Sequence, residues 1–146
     1  MTDQAEIVVA LDGSEPAYEA LKQAHQMAQA MNRKLSALYV FPHNPGVSTT
    51  LAGLEDIDQA RKRIEQAGKS KSSALFDEAE SRIGTSLAKK HLLVGKPAEE
   101  IVAFMESNPN VHLVMGRRGL SKIKALIMGS VSAKVVAYAP GLVTVV

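Results

Sequence analysis

The 146-residue chain contains no cysteine and no tryptophan, and aromatic residues make up only 4% of it. Without cysteine there is no disulfide scaffold, thiolate metal site, iron–sulfur cluster or cysteine nucleophile. A chain of this length buries roughly 70% of its unfolded surface, so it needs no cross-link to fold. The composition therefore predicts one domain over residues 1–146 that is suited to a reducing compartment.

Long hydrophobic runs are also missing, since none approaches the ~18 residues that span a bilayer. The segment Met1–Glu6 carries Asp3 and Glu6, where a signal peptide would carry basic residues followed by apolar ones. We therefore expect a soluble cytoplasmic protein without membrane insertion.

Acidic residues are absent from the last part of the chain. Residues 1–106 hold 12 Lys and Arg against 15 Asp and Glu, whereas residues 107–146 hold five basic residues and no acid. This asymmetry indicates an anionic partner, although a solvated basic surface would give the same count. No aromatic residue offers a stacking platform beside these charges, so we expect no nucleic-acid partner. The five basic residues are Arg117, Arg118, Lys122, Lys124 and Lys134.

Short apolar runs alternate with helical patterns along the chain. This alternation predicts an α/β fold, a single doubly wound, Rossmann-like domain with a five-stranded parallel sheet and helices on both faces. The second helix, at about 30 residues, would be ~45 Å long, so we expect Gly68 and the run Lys69–Ser73 to break or fray it. The predicted strands are Glu6–Leu11, Leu35–Phe41, Ala88–Val94, Val111–Met115 and Leu142–Val146. The predicted helices start at Ser14, span Leu54–Gly84, open at Gly95–Pro97, and span Ser130–Tyr138.

Glycines follow the fourth predicted strand in the frame Gly116-x2-Gly119-x9-Gly129-Ser130. Ligands of such sheets bind beyond the carboxyl ends of the strands. Glycine there permits a positive φ and a close approach of the backbone, and the unpaired amides at the start of a helix bind anions. A turn and a helix cap explain the same residues equally well. A dinucleotide site is disfavoured, because no G-x-G-x-x-G follows the first strand, and so is a P-loop, because Arg63 occupies its first glycine position.

This glycine frame resembles the ATP-binding signature of the universal stress protein family, and the resemblance covers nearly the whole chain. It includes Asp12-Gly13-Ser14, the turn Gly95–Glu99 and the closing strand. The resemblance implies ATP as ligand, with Mg²⁺ held mainly by the phosphates. It also implies a homodimer through the last strand, Leu142–Val146, with a higher oligomer left open, and a regulated protein partner. Pairing would cover an apolar edge strand that otherwise invites aggregation.

The same resemblance assigns roles to individual residues. Asp12 would contact the ribose or adenine side of the nucleotide, and Met115 would lie near the base. Two departures from the family pattern, Ala10 in place of a proline and His112 in place of an acid, are not expected to prevent binding. The adenine pocket would be lined by Ala10, Leu11 and Val40. The phosphates would be cradled by Gly116, Gly119, Gly129, Ser130 and Val131, with Arg117, Arg118 and Ser132 assisting.

No catalytic or metal-ligating residue is predicted. Asp12 lacks the neighbouring acids that a phosphoacceptor needs for magnesium and the second carboxylate of an acid–base pair, and the four histidines lack metal-ligand spacing. The expected function is that of an ATP-binding regulatory protein of the stress response, whose nucleotide occupancy controls oligomerisation or partner binding. Two alternatives remain open: a slow ATPase or phosphotransferase with Asp12 at its site, and a nucleotide-free interaction module.

Overall fold

Strands and helices alternate along the chain in a computed structural model that describes residues 5–43, 57–119 and 128–146. Within these ranges, no helix is both long and apolar enough to cross a membrane. The segment between the second predicted strand and the second predicted helix lies largely outside the described residues, as does the predicted start of that helix. The elements are β1 (Ile7–Leu11), α1 (Glu15–Met31), β2 (Leu35–Pro42), α2 (Ile57–Ile83), β3 (Lys90–Gly95), α3 (Pro97–Ser107), β4 (His112–Met115), α4 (Ser130–Tyr138) and β5 (Val143–Val145).

The five strands form one parallel sheet in the order β3-β2-β1-β4-β5. The central strand β1 pairs on both sides, so that Val9 lies opposite Ala37 of β2 and Val114 of β4. Strand order reverses between β1 and β4, which is the place where α/β sheets bind ligands. The predicted α/β fold is confirmed, with strand ends that differ from the predicted ones by one or two residues.

The two faces of the sheet carry separate apolar cores. The helices α1 and α2 cover one face, where residues such as Val9, Ala37 and Phe76 are buried together. The helices α3 and α4 cover the other face, where Leu38, Met115 and residues of both helices pack together. Strands covered on both faces read as continuous apolar runs, which is why β1 and β4 have no polar alternation.

The helix α1 begins where the sequence predicts. Ser14 is its N-cap, with the hydroxyl Oγ accepting a hydrogen bond of 3.2 Å from the amide of Ala17. Pro16 lies in the first turn, where its missing amide proton costs nothing. The helix ends at Asn32, whose left-handed backbone (φ 53°) allows its amide to bond the last carbonyls. The Ser14 cap fixes the start of α1 beside the end of β1.

The prediction that Gly68 and Lys69–Ser73 break the second helix is wrong. The helix α2 runs without interruption for 27 residues. Gly68 is buried against the sheet, where an added Cβ would lie 3.5 Å from Cγ of Phe41 and 3.7 Å from Cδ2 of Leu92. The glycine therefore lets the helix lie close to β2 and β3, and packing of the buried residues from Gly68 to Ala79 outweighs its weak helix propensity.

Candidate functional site

A cavity of about 260 Å³ opens beyond the carboxyl ends of β1 and β4, where the strand order reverses. It is bounded by the ends of three strands and the first turns of three helices. This position is the one at which open α/β sheets bind their ligands. The lining residues are Ala10, Leu11, Asp12, Ala17, Leu38, Tyr39, Val40, Pro42, Pro97, Ile101, Met115, Gly116, Arg118, Gly119, Gly129, Ser130, Val131 and Ser132.

One part of the cavity wall is apolar. Leu38 and Val40, two residues apart on β2, are buried together with Ile101 of α3 and Met115 of β4. Val131 of α4 packs against the same cluster while it also lines the cavity. Flat, apolar ligand groups bind in such environments through burial of their surface and through van der Waals contact. This part of the wall therefore suits a ring system rather than a charged group.

A second part of the wall includes the start of α4. The helix α4 begins at Ser130 after the N-cap Gly129, a residue that has no side chain to cap the first amides. Its first intrahelical bond joins the amide of Ala133 to the carbonyl of Gly129 at 2.9 Å. The amides of Ser130, Val131 and Ser132 precede that bond, so they belong to the unpaired first turn that favours negative charge. This part of the wall suits an anionic group.

Asp12 is a half-buried carboxylate in the wall whose first oxygen is already bonded. Its Oδ1 accepts a hydrogen bond of 2.9 Å from the amide of Ser14 and one of 2.5 Å from the Ser14 hydroxyl. Its Oδ2 lies against Gly119, where an added Cβ would be 2.5 Å away. The turn thus fixes the carboxylate in place.

The glycines at this site allow close packing rather than an unusual backbone. A Cβ on Gly116 would lie 2.9 Å from the backbone carbon and oxygen of Pro16, and one on Gly119 would lie 2.5 Å from Oδ2 of Asp12. These glycines do not use the positive φ that glycine permits, because the described glycines with positive φ are Gly13, Gly84 and Gly95. Glycine is required here because a Cβ would collide with neighbouring atoms, not because the backbone adopts a special torsion angle.

Tyr39 borders the cavity, while its side chain packs in the core on the face of the sheet that α1 and α2 cover. Burial raises the pKa of Tyr39, and the negative charge of the nearby Asp12 raises this pKa further. The phenol therefore stays protonated at neutral pH. Sequence reasoning missed Tyr39 because its strand reads as uniformly buried core.

All predicted site residues except Arg117 line this one cavity. Arg117 is exposed, and its backbone rather than its side chain faces the site, since its carbonyl accepts from the amide of Gly129. Lys134 is paired with Glu99 of α3 at 3.5 Å, so this basic residue is balanced by an acid from elsewhere in the sequence. Lys122 and Lys124 lie outside the described residues. The lining residues that the sequence did not predict are Ala17, Leu38, Tyr39, Pro42, Pro97 and Ile101.

Two signals could have found some of the missed residues. Leu38 precedes the predicted Val40 by two positions, so both side chains lie on the same face of the strand. Pro97 and Ile101 belong to the first turns of a helix that begins directly after β3, at the same edge of the sheet. In the described ranges, no cluster of three or more His, Asp or Glu residues could hold a metal ion.

The fold and the cavity define an α/β protein with a ligand site at the reversal of strand order, and sequence comparison assigns its family. The profile of the universal stress protein family matches residues 5–146, and the chain belongs to this family. It is 32% identical over 140 residues to a universal stress protein from Methanocaldococcus jannaschii, an alignment that covers 94% of this chain and 79% of that protein.

Solved structures agree with this assignment. The hypothetical protein MJ0577 superposes with a TM-score of 0.73 at 25% identity, over 98% of this chain and 95% of that one. A universal stress protein in complex with cAMP superposes with a TM-score of 0.67 at 27% identity, over 97% of this chain and 96% of that one.

Proposed function

We propose that this chain binds an adenine nucleotide, with ATP as the expected ligand, in the cavity between β1 and β4. The observation that carries the proposal is the division of the cavity wall into an apolar part and a main-chain part with unpaired amides. A nucleotide has the same two parts, a flat base and an anionic phosphate chain. The relative bound to cAMP supports the ligand class, and the family resemblance makes adenine the expected base.

The base would lie against the apolar wall formed by Leu38, Val40 and Met115, and Asp12 Oδ2 would accept a ribose hydroxyl. The phosphates would lie at the start of α4 and beside Gly116 and Gly119. The carboxylate that lines the cavity in the described part of the chain is Asp12, and its Oδ1 is bonded to Ser14. Mg²⁺ would therefore be held mainly by phosphate oxygens, where it neutralises their charge.

Calorimetric titration of the purified protein with ATP and Mg²⁺ tests the binding. We expect a dissociation constant in the low-micromolar range or tighter. Val131→Phe fills the cavity and should weaken binding at least ~100-fold, because the base or the phosphates lose their space. Val136→Phe is the matched control, since Val136 lies on the same helix and is 48% exposed. Wild-type protein that binds no adenine nucleotide would leave the interaction module as the better reading.

A regulatory role follows if a nucleotide bound in the cavity changes the surface near β5. The outer side of this edge strand is flanked by exposed apolar residues, Tyr138 at 68% and Leu142 at 65% exposure. We expect a homodimer to form there. Sedimentation of Leu142→Asp should show dissociation, whereas Val94→Asp on the other edge strand, β3, should not. If the dissociation constant of the dimer did not change with ATP, nucleotide binding would not regulate dimerisation.

Hydrolysis is the remaining alternative. Asp12 stands without a second carboxylate in the described cavity wall, so no acid–base pair is assembled. We therefore expect little release of phosphate from ATP. Sustained release that is lost in Asp12→Asn would instead identify an ATPase or phosphotransferase.

A further inference from the structure

The segment Gly116–Gly119 and the segment that begins at Gly129 are joined by hydrogen bonds to one carbonyl group. The carbonyl of Arg117 accepts a hydrogen bond of 2.8 Å from the amide of Gly129 and one of 2.6 Å from the hydroxyl of Ser132. The amide of the same residue donates to the carbonyl of Val146 at 2.8 Å. One peptide segment therefore joins the end of β4, the start of α4 and the end of the sheet-edge strand. We call the two bonds to the Arg117 carbonyl the Arg117 clasp.

Ser132 contributes to this clasp with a hydroxyl that is turned inward. The residue is only 2% exposed although its atoms border the cavity. Its single hydroxyl proton lies between the Arg117 carbonyl at 2.6 Å and the Gly129 carbonyl at 3.1 Å. A proton committed to these acceptors is not available to a ligand.

We propose that Ser132 is a positioning residue for the phosphate part of the site rather than a phosphate ligand; this inference rests on the nucleotide-binding function proposed above. Its hydroxyl holds the start of α4 against the strand end that carries Gly116 and Gly119. The unpaired amides of α4 are thereby placed beside these glycines before any ligand binds. Such preorganisation increases affinity because the ordering cost is not charged to the binding step.

The consequence is specific to one part of the ligand. The apolar wall belongs mainly to β2, α3 and β4, and the Ser132 hydroxyl bonds the carbonyls of Arg117 and Gly129, which lie outside these elements. Loss of the hydroxyl should therefore loosen the phosphate part and leave the base part intact. A mutation that damaged the whole domain would weaken both parts equally.

The test compares ATP with adenosine on Ser132→Ala. We expect ATP to bind about 3- to 10-fold more weakly, the factor for one lost neutral hydrogen bond. Adenosine should bind within a factor of about two of wild type. Ser72→Ala is the matched control, because Ser72 is also a buried helical serine, 6% exposed, whose hydroxyl donates to a backbone carbonyl three residues back. It lies on α2, away from the cavity, and should change neither affinity.

Hydrogen exchange of the ligand-free protein separates a clasp from a direct phosphate contact. The Gly129 amide donates to the Arg117 carbonyl, so its exchange should accelerate in Ser132→Ala and remain unchanged in Ser72→Ala. Unchanged Gly129 exchange would overturn the proposal even if ATP binding weakened, since the hydroxyl would then act only on the ligand. Equal losses for ATP and adenosine, or no loss for ATP, would overturn it as well. Wild-type protein that bound neither ligand would contradict the proposed function, and the exchange measurement would still test the clasp.

Discussion

The parallel sheet has an amino edge, where its strands begin, and a carboxyl edge, where they end. Polar groups at these two edges differ in whether they have hydrogen-bond partners. At the amino edge, the buried hydroxyl of Ser36 donates to the Glu6 carboxylate and accepts from the Lys89 amide at 3.1 Å. Nearby, the Glu80 carboxylate accepts from the Leu87 amide at 2.7 Å and pairs with Lys90 at 2.8 Å. At the carboxyl ends of the strands, the N-cap Gly129 offers the first amides of α4 no side-chain acceptor.

This difference separates stability from binding. Buried polar groups that bond to each other stabilise a fold, and each one left without its partner costs about 1–3 kcal/mol. Polar groups that stay unpaired at the carboxyl edge contribute nothing to stability but are available to a ligand. Mutations at the carboxyl edge should therefore act on nucleotide affinity, and mutations at the amino edge on the free energy of unfolding.

Of the changes that test this difference, Gly119→Ala should have the largest effect, and it should act on binding. The new Cβ would lie 2.5 Å from Oδ2 of Asp12, so the carboxylate must move from the position that its bonds to Ser14 hold. We expect a loss of ATP affinity of about 10- to 100-fold, in calorimetry, with an unfolding free energy within about 1 kcal/mol of wild type. Gly141→Ala is the control, because its Cβ would have ordinary contacts at 3.6–3.7 Å. Equal affinity in both variants would remove Asp12 from the site.

Ser36→Ala should act on stability alone. It leaves the Glu6 carboxylate without its hydroxyl donor and the Lys89 amide without its acceptor in a place where Ser36 is fully buried. The free energy of unfolding in urea should fall by about 1–3 kcal/mol. ATP affinity should stay within a factor of about two. A large loss of affinity would show that the two edges are coupled.

Gly68→Ala lies on neither edge and should stabilise the protein slightly. The added methyl would make ordinary contacts with Phe41, and alanine has a higher helix propensity than glycine. We expect the free energy of unfolding to rise by about 0.5–1 kcal/mol, measured by urea denaturation. A decrease would mean that Phe41 cannot accommodate the methyl group.

Acidification should produce the smallest effect. It should lower the free energy of unfolding through His112, which lies at the amino edge. Burial lowers the pKa of His112, and the positive charge of Arg33 lowers it further. The unfolded chain therefore takes up a proton at higher pH than the folded chain does. The free energy of unfolding should fall as the pH decreases below about 6.5 and level off once folded His112 is protonated.

His112→Gln should reduce this slope, and urea denaturation across the same pH range measures it. A residual slope is expected from His91, whose pKa is also lowered by burial. The Nε2 atom of His112 lies 2.7 Å from the hydroxyl of Thr144 on β5, a contact that glutamine can also make. An unchanged slope in the variant would assign the acid sensitivity to other groups.

Local signals in the sequence predicted most of the fold. Ser14 and Pro16 mark the start of α1, and the run of apolar residues before Asp12 marks β1, because caps and buried strands depend on neighbouring residues. Gly68 was misread because its effect depends on Phe41 and Leu92, which lie in other elements. The continuity of α2 depends on tertiary packing, and the local sequence pattern does not contain that information.

The candidate site divides in the same way. Gly116, Gly119 and Gly129 could be found because they share one short frame after one strand. The wall residues Leu38 and Ile101 come from β2 and α3, and only the folded chain brings them together. The sequence also predicted a side-chain role for Arg117, whereas the structure gives the role to its peptide group.

That peptide group has a consequence for how the residue would look in mutational surveys. Three segments of the chain meet at Arg117 through its backbone amide and carbonyl alone. Replacing the exposed side chain by alanine should leave all three bonds intact, so a side-chain scan would score the position as unimportant. Only a change to the backbone itself, such as Arg117→Pro or an ester in place of the amide, would reveal the junction.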